Sequence, residues 1–317
     1  MTLTADISEM PTRKKDDFAG ELAARVSSAT LIRRDEPMSG HTTLRIGGPA
    51  EVYAAPATEA DLAAILKACG GHGVRFFILG RGSNLLVRDG GFRGVAICLS
   101  HPNFSRIEID GTRLRCGAGA KLKHAAVEAK RAGLGGVEFL EGIPGSVGGA
   151  LRMNAGAMGG ETFNAVESVR VMDFSGSVRE LAPPEMSVSY RSCGLLKNHV
   201  ALGAVFRCTP QPRAEIEARM KAYGEKRWGS QPAAPSAGCL FRNPAAIPAG
   251  KLIDELGLKG TKIGGARISQ EHGNFLVNDG NATAKDVLEL IKFLQARVKD
   301  ERGIDLHTEV EIIGEED

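Results

Sequence analysis

Reactive side chains and two glycine-rich loops are the features of this 317-residue chain that could do chemistry. In SAGCLFRNP, residues 236–244, Cys239 stands between a small-residue turn and an aromatic, a cation and an Asn-Pro break. It reads either as a reagent or as one more buried thiol beside Cys69, Cys98, Cys116, Cys193 and Cys208, and composition alone favours the inert reading. Arg191, in SYRSC, offers a planar fork of donors suited to a carboxylate or phosphate, and is equally at home in a surface ion pair. Glu309, in LHTEVEIIG, shares the polar face of an alternating strand with His307 and Glu311, and taken alone is a solvated strand residue. GRGSN, residues 80–84, follows an apolar run. Its two glycines either turn N–H groups toward one point, as in an anion site, or simply permit a tight turn. The stretch GIPGSVGGALRMNAGAMGGE is denser in glycine than one turn requires, which implies close backbone approach over a long path.

Several functions are disfavoured. Lys and Arg total 40 against 38 acidic residues, a net charge of +2, and aromatic content is 5%; neither recommends a nucleic-acid or anionic-membrane partner. No segment approaches the roughly 20 apolar residues of a membrane span. The first residues, MTLTADISEMPTRKKDDF, lack the apolar core of a secretory signal and read as a mobile tail, so the expected location is the cytoplasm. GRGSNL has Leu85, and GAGAKL has Leu122, where a dinucleotide fingerprint needs its third glycine; no GxxxxGK[ST] occurs. The seven histidines show no metal-ligand spacing, and no metal is expected.

The elements that must position these groups follow from periodicity. A short helix is expected over 18–28, and HTTLRIGGPAEVYAAP reads as a turn feeding a strand. Thr58 and Asp61 form a capping box for a helix that buries Leu62, Ile65, Leu66 and Cys69 and ends at Gly70 and Gly71. VRFFILG and GVAICLS are buried strands. RIEIDGTRLRCGAG is a hairpin around Asp-Gly, and a helix over 121–131 follows. Strands VESVRVMDF, SVRELA and VALGAVFRC lead to a boundary at Thr209-Pro210. Beyond it come a helix over 214–228 with Ile216, Met220 and Tyr223 at helical spacing, and a Pro-rich loop. A long helix capped by Thr283 and Asp286 then buries Val287, Leu290, Ile291, Leu294 and Val298, and a closing strand ends the chain. The expected class is α+β, divided into residues 1–40 (tail and helix), 41–99 and 100–209 (two α/β subdomains), 210–303 (a third, mixed domain) and 304–317 (a terminal strand).

Seven blocks in order, TTLRIGGPAEVY, LGRGSNLLV, GIPGSVGGALRMNAGAMGGE, SYRSC, SAGCLFRNP, GKLIDELGLKG and LHTEVEIIG, closely resemble the UDP-N-acetylenolpyruvoylglucosamine reductase family, in its shorter form without an inserted loop after Tyr190-Arg191. The resemblance spans almost everything after the first forty residues. It implies a non-Rossmann, PCMH-type FAD-binding domain made of the two α/β subdomains, and a smaller substrate-binding domain. It further implies a reaction in which NADPH and FAD reduce the enolpyruvyl ether of UDP-N-acetylglucosamine to UDP-N-acetylmuramate, for peptidoglycan synthesis, with no obligate protein partner. By the same resemblance, Gly80, Gly82, Ser83 and Asn84 would hold the FAD pyrophosphate, and Gly148, Gly149, Asn154, Gly156 and Ala157 would line the flavin. Arg191, Cys239 and Glu309 would be catalytic: a carboxylate clamp, a proton donor where many members carry serine, and a stabiliser of the intermediate. A thiol there should be mostly protonated at neutral pH, yet more open to oxidation and alkylation than a hydroxyl. Tyr190, Arg227, Gln231, Arg242 and Asn243 would meet the UDP-sugar, with Lys251 and His272 as further candidates. The alternatives are another FAD-dependent oxidoreductase with the same flavin domain, or a flavin-binding protein without turnover.

Overall fold

The structure is a computed structural model that describes residues 17–316. The expected N-terminal tail lies mostly outside the described residues. Mixed sheets and helices build the chain, in agreement with an α+β class.

The first sheet runs in the order Leu31–Pro37, Pro49–Ala55, Phe92–Cys98, Phe76–Leu79. Its last two pairings are parallel, and helix Glu59–His72 lies in the segment between strands Pro49–Ala55 and Phe76–Leu79. Thr58 and Asp61 exchange capping bonds at the start of that helix. It ends at Gly73 in the left-handed region (φ +62), two residues beyond the expected stop. Strand Leu31–Pro37 was not foreseen, because LIRRDEP is charged and lacks alternation. It is an edge strand, antiparallel to Pro49–Ala55, and its polar residues face water rather than a core.

A five-stranded antiparallel sheet follows, ordered Val178–Leu181, Val166–Asp173, His199–Arg207, Arg113–Gly117, Ile107–Asp110. Its Asp-Gly hairpin pairs Asp110 with Arg113, so Gly111 (φ +60) and Thr112 form the two-residue loop. The third sheet, Ser236–Cys239, Phe275–Asn278, Ala266–Ile268, Lys262–Ile263, shares a core with helix Ala284–Arg302, whose Val287, Leu290, Ile291, Leu294 and Val298 are buried as the periodicity requires.

Two packing relations cross the expected divisions. Helix Arg213–Trp228, grouped by sequence with the third domain, buries Ile216 and Met220 in the core shared by the first two sheets. Conversely, Leu44, Ile46 and Leu86 of the first subdomain join the third domain's core. The three regions therefore meet along a shared wall. Among the described residues no helix is long and apolar enough to cross a membrane.

Candidate active site

Along that shared wall lies a cavity of about 1030 Å³ that takes residues from all three regions. Arg191, Cys239 and Glu309, far apart in sequence, all line it.

Arg191 occupies the second place of a two-residue loop between the short strands Val188–Ser189 and Ser192–Cys193. Its backbone is left-handed (φ +54), a conformation that costs a non-glycine residue on the order of 1–3 kcal/mol and persists only where surroundings enforce it. Here the guanidinium is held from two sides: Nε donates to Glu309 Oε1 at 3.0 Å, and the group stacks 4.8 Å from the centre of the Tyr190 ring. At the facing Gly156 an added Cβ would stand 2.8 Å from the Gly160 carbonyl oxygen, so it is the neighbouring backbone rather than the guanidinium that excludes a side chain there.

Cys239 ends strand Ser236–Cys239, which pairs Ser236 with Val277 and Cys239 with Phe275. Ala237 and Gly238 stand opposite the single Leu276, which is a β-bulge, and Gly238 at φ +75 absorbs it. Cys239 lines the cavity together with Ser236, Ala237 and Gly238, and Ala237 also packs into the third domain's core. Burial and the neighbouring Glu309 push the thiol up to about 12, with Arg191 opposing. It is a protonated thiol across neutral pH. The reactive thiolate is therefore scarce at neutral pH.

Glu309 sits where the terminal segment changes partners. Arg242 N–H donates to His307 O and Glu309 N–H to Leu240 O, which ties residues 307–309 to the third domain. Strand Glu311–Ile313 then runs parallel to Leu85–Val87 of the first subdomain. Asn84 fastens the junction: its Nδ2 donates to Glu309 O at 3.0 Å, and its own carbonyl accepts from Glu311 N–H. Burial raises the Glu309 carboxyl above the usual range, against the pull of Arg191 and Arg242. Glu311 faces the same cavity and meets Arg152 at 3.6 Å, a contact that sequence reasoning missed because one cation inside ALRMNAG carries no pattern. His307, expected on the same face, does not line the cavity.

The glycine loops form the floor. Gly80, Gly82, Ser83, Asn84, Gly148, Gly149, Gly156 and Ala157 all line it. The N–H groups of Arg81, Gly82, Ser83 and Asn84 find no acceptor among the described residues, so four donors are gathered without a partner. Gly82 is left-handed (φ +59), and a Cβ on it would lie 2.7 Å from Thr42 Cα. Thr43 holds the loop against the third domain by bonding Gly82 O through its N–H and Ser236 O through its hydroxyl at 2.6 Å. Among the described residues Glu309 and Glu311 are the only carboxylates in the wall, and each faces an arginine, whereas Arg45, Arg81, Lys121 and Arg227 add positive charge. An elongated ligand carrying a diphosphate suits such a donor set. These residues fit FAD.

Most of the other expected contacts lie outside the cavity. Asn154 does not line the cavity; it caps helix Val147–Met153 in the left-handed region, and its amide is spent on Glu161, Ser189 O and Phe163 N–H. Arg227 and Gln231 do line it, and Arg227 Nε is buried without an acceptor among the described residues. Tyr190 is outside, beneath Arg191. Arg242 is exposed and reaches the site only through its charge on Glu309. Asn243 accepts from Ala249 N–H at the start of helix Ala249–Glu255, on which Lys251 faces solvent beside Glu255. His272 is half-buried against Phe275, with Nδ1 accepting from Asn274 N–H.

Comparison with known proteins is consistent with this arrangement. Residues 231–313 match the family model described as UDP-N-acetylenolpyruvoylglucosamine reductase, C-terminal domain, and residues 50–182 match one described as FAD binding domain. The UDP-N-acetylenolpyruvoylglucosamine reductase of Bacillus licheniformis is 44% identical over 288 residues, covering 90% of this chain and 94% of that protein. That of Clostridium tetani is 40% identical over 302 residues, 95% of this chain and 97% of its own. The crystal structure of UDP-N-acetylenolpyruvylglucosamine reductase from Thermus caldophilus superposes with a TM-score of 0.78 at 39% identity, over 89% of this chain and 99% of that one. With such identity along nearly the whole length of both proteins, and with a donor floor and an Arg–Cys–Glu wall facing one cavity, the chain belongs to the UDP-N-acetylenolpyruvoylglucosamine reductase family.

Proposed function

We propose that this protein is an FAD-dependent oxidoreductase that spends NADPH to reduce the enolpyruvyl ether of UDP-N-acetylglucosamine to UDP-N-acetylmuramate. The observation that carries the reading is the convergence of Arg191, Cys239 and Glu309 on one cavity whose floor offers unpaired backbone donors.

Bound FAD would supply the hydride, replenished by NADPH, with Arg81–Asn84 holding its diphosphate and Gly148, Gly149, Gly156 and Ala157 lining its path. Adding hydride to the vinyl methylene leaves negative charge on the carbon next to the substrate carboxylate. Arg191 binds that carboxylate through the guanidinium edge not used by Glu309, and holds the charge as it spreads onto the oxygens. The Cys239 S–H then delivers its proton to the carbon, and the thiolate left behind is stabilised by Arg191, the same cation that already works to lower the thiol. Because burial favours its neutral form, Glu309 in that form donates a hydrogen bond to the developing enolate, and in either form it aims Arg191. Arg227 and Gln231 meet the UDP-sugar at the far side.

The test is Cys239→Ala. Flavin content and NADPH-dependent flavin reduction should match the parent, while reoxidation of the reduced flavin by the enolpyruvyl substrate falls by about 10²-fold or more, the scale of general acid catalysis. Unchanged reoxidation would remove the proton-donor role. A protein that takes up no flavin would overturn the whole assignment.

A further inference from the structure

Helix Ala284–Arg302 carries its own capping box, yet that box satisfies only part of its start. Thr283 Oγ1 accepts from Asp286 N–H, and the Asp286 carboxylate accepts from Thr283 N–H and Gly265 N–H, all within the third domain. Two first-turn donors remain, Ala284 N–H and Lys285 N–H. Both are taken by Asp89 of the first subdomain, one by each carboxylate oxygen, at 2.8 Å. A carboxylate is the favoured partner for these donors, because the bonds are charge-assisted and the helix start is positive. Here that carboxylate comes from another region of the fold, so the cap is also a tie between regions.

The position of Asp89 gives the tie its consequence. It lies two residues beyond strand Leu85–Val87, which begins directly after the donor loop at residues 80–84 and pairs with Glu311–Ile313. Its own loop is held from behind: Gly48 and Gly91 N–H both donate to Arg88 O, Arg88 N–H donates to Ile313 O, and Gly48 has no room for a Cβ against Asp89 O. On the other side of the tie, Leu290 and Leu294 of the helix share a core with Leu240 and Leu276, the first adjacent to Cys239 and the second opposite its bulge. Thr43 and Asn278 also cross this seam, but each with one bond to a neutral carbonyl, Ser236 O and Leu44 O. Asp89 itself does not line the cavity.

We propose that Asp89 is a positioning residue for the reduction step: it pins the third domain's long helix to the stretch of chain that forms the flavin floor, and so keeps Cys239 within reach of a substrate lying over that floor. The inference rests on Cys239 as the proton donor in enolpyruvyl reduction.

The test is Asp89→Ala in the full-length, FAD-loaded protein, with the two half-reactions followed separately. Flavin content and flavin reduction by NADPH should stay within about twofold of the parent, while reoxidation by UDP-N-acetylglucosamine enolpyruvate falls about tenfold or more, the scale of a small misplacement of reacting groups. Asp89→Asn keeps one acceptor oxygen and should fall between parent and Asp89→Ala. Asp286→Ala removes two bonds at the same helix start without crossing the seam; it should lower Tm, as loss of a cap does, yet leave reoxidation within about twofold of the parent. Unchanged reoxidation in Asp89→Ala would overturn the role, and so would equal slowing in Asp286→Ala, which would make the contact a matter of helix stability. Loss of flavin from Asp89→Ala would overturn it too, by making Asp89 a builder of the floor. Should Asp89→Ala fail to fold, Asp89→Asn against Asp286→Ala makes the same comparison. If the parent's reduced flavin is not reoxidised by the substrate, the proposed function falls; if it is and Asp89→Ala matches it, only the positioning role falls.

Discussion

Along the floor of the large cavity, at residues 80–84, the groups available to a ligand are mainly backbone N–H donors, and the shape of the loop depends on Gly82 having no side chain. On the facing wall the working groups are side chains, Arg191, Cys239 and Glu309, each held by a backbone irregularity: a left-handed hairpin residue, a bulge, and a segment that changes partners between two sheets. The floor is suited to holding a cofactor and the wall to chemistry on the substrate. Backbone donors are fixed as soon as a loop closes. Side-chain donors must be aimed by neighbours that arrive from elsewhere.

That division can be broken most decisively at Arg191. Arg191→Ala should lower turnover about 10³-fold, the scale of losing a principal donor to developing charge, while leaving flavin absorbance intact. A variant that loses its flavin as well would show that the wall also builds the floor. The Cys239 thiol gives the next largest effect. Raised to about 12, it should react with iodoacetamide at pH 8 at least ~100-fold more slowly than an unperturbed thiol, read by mass spectrometry of the tryptic peptide. Its sign with pH follows: the folded state holds this proton more tightly than the unfolded one, so the associated stability is complete below the unfolded pKa, near 9, and is lost as pH climbs toward about 12. Rapid labelling at pH 8 would mean that the thiolate is stabilised, and that the wall is electropositive rather than desolvated. The smallest effect, yet the sharpest on the floor, is Gly82→Ala. Strain at φ +59 and the approach to Thr42 should cost about 1–3 kcal/mol, seen as a lower Tm and weaker FAD retention, although no functional side chain is touched. Unaltered FAD retention would mean that the loop's backbone is not the holding device.

Legibility in the sequence followed the same line. The capping boxes at Thr58/Asp61 and Thr283/Asp286, the buried stripe of the long helix and the Asp-Gly hairpin were all readable, because each depends on neighbours within a few residues. Strand Leu31–Pro37 was not, since a charged edge strand carries no alternation and exists only because Pro49–Ala55 pairs with it. Helix Arg213–Trp228 was found, but its core was misjudged: amphipathic spacing shows that a face is buried and not against what. Among site residues, the floor glycines stood out by density. Asn154 caps a helix and Tyr190 is a platform for Arg191, and no local pattern shows either placement. Alternation put His307, Glu309 and Glu311 on one face, yet only the two glutamates line the cavity, because regular strand geometry begins at Glu311.

By itself, then, the order of residues determined the class of fold, the caps, the glycine floor and, through resemblance, the family, all of which rest on local spacing or on patterns held along the chain. Tertiary structure alone decided that a thiol at 239, a guanidinium at 191 and a carboxylate at 309 share one cavity, with Arg191 bonded to Glu309 and Cys239 kept protonated beside them. The reason is physical: Coulomb interaction and desolvation depend on distance and burial in space, and neither can be read from positions separated by tens of residues until the sheets that carry them have packed.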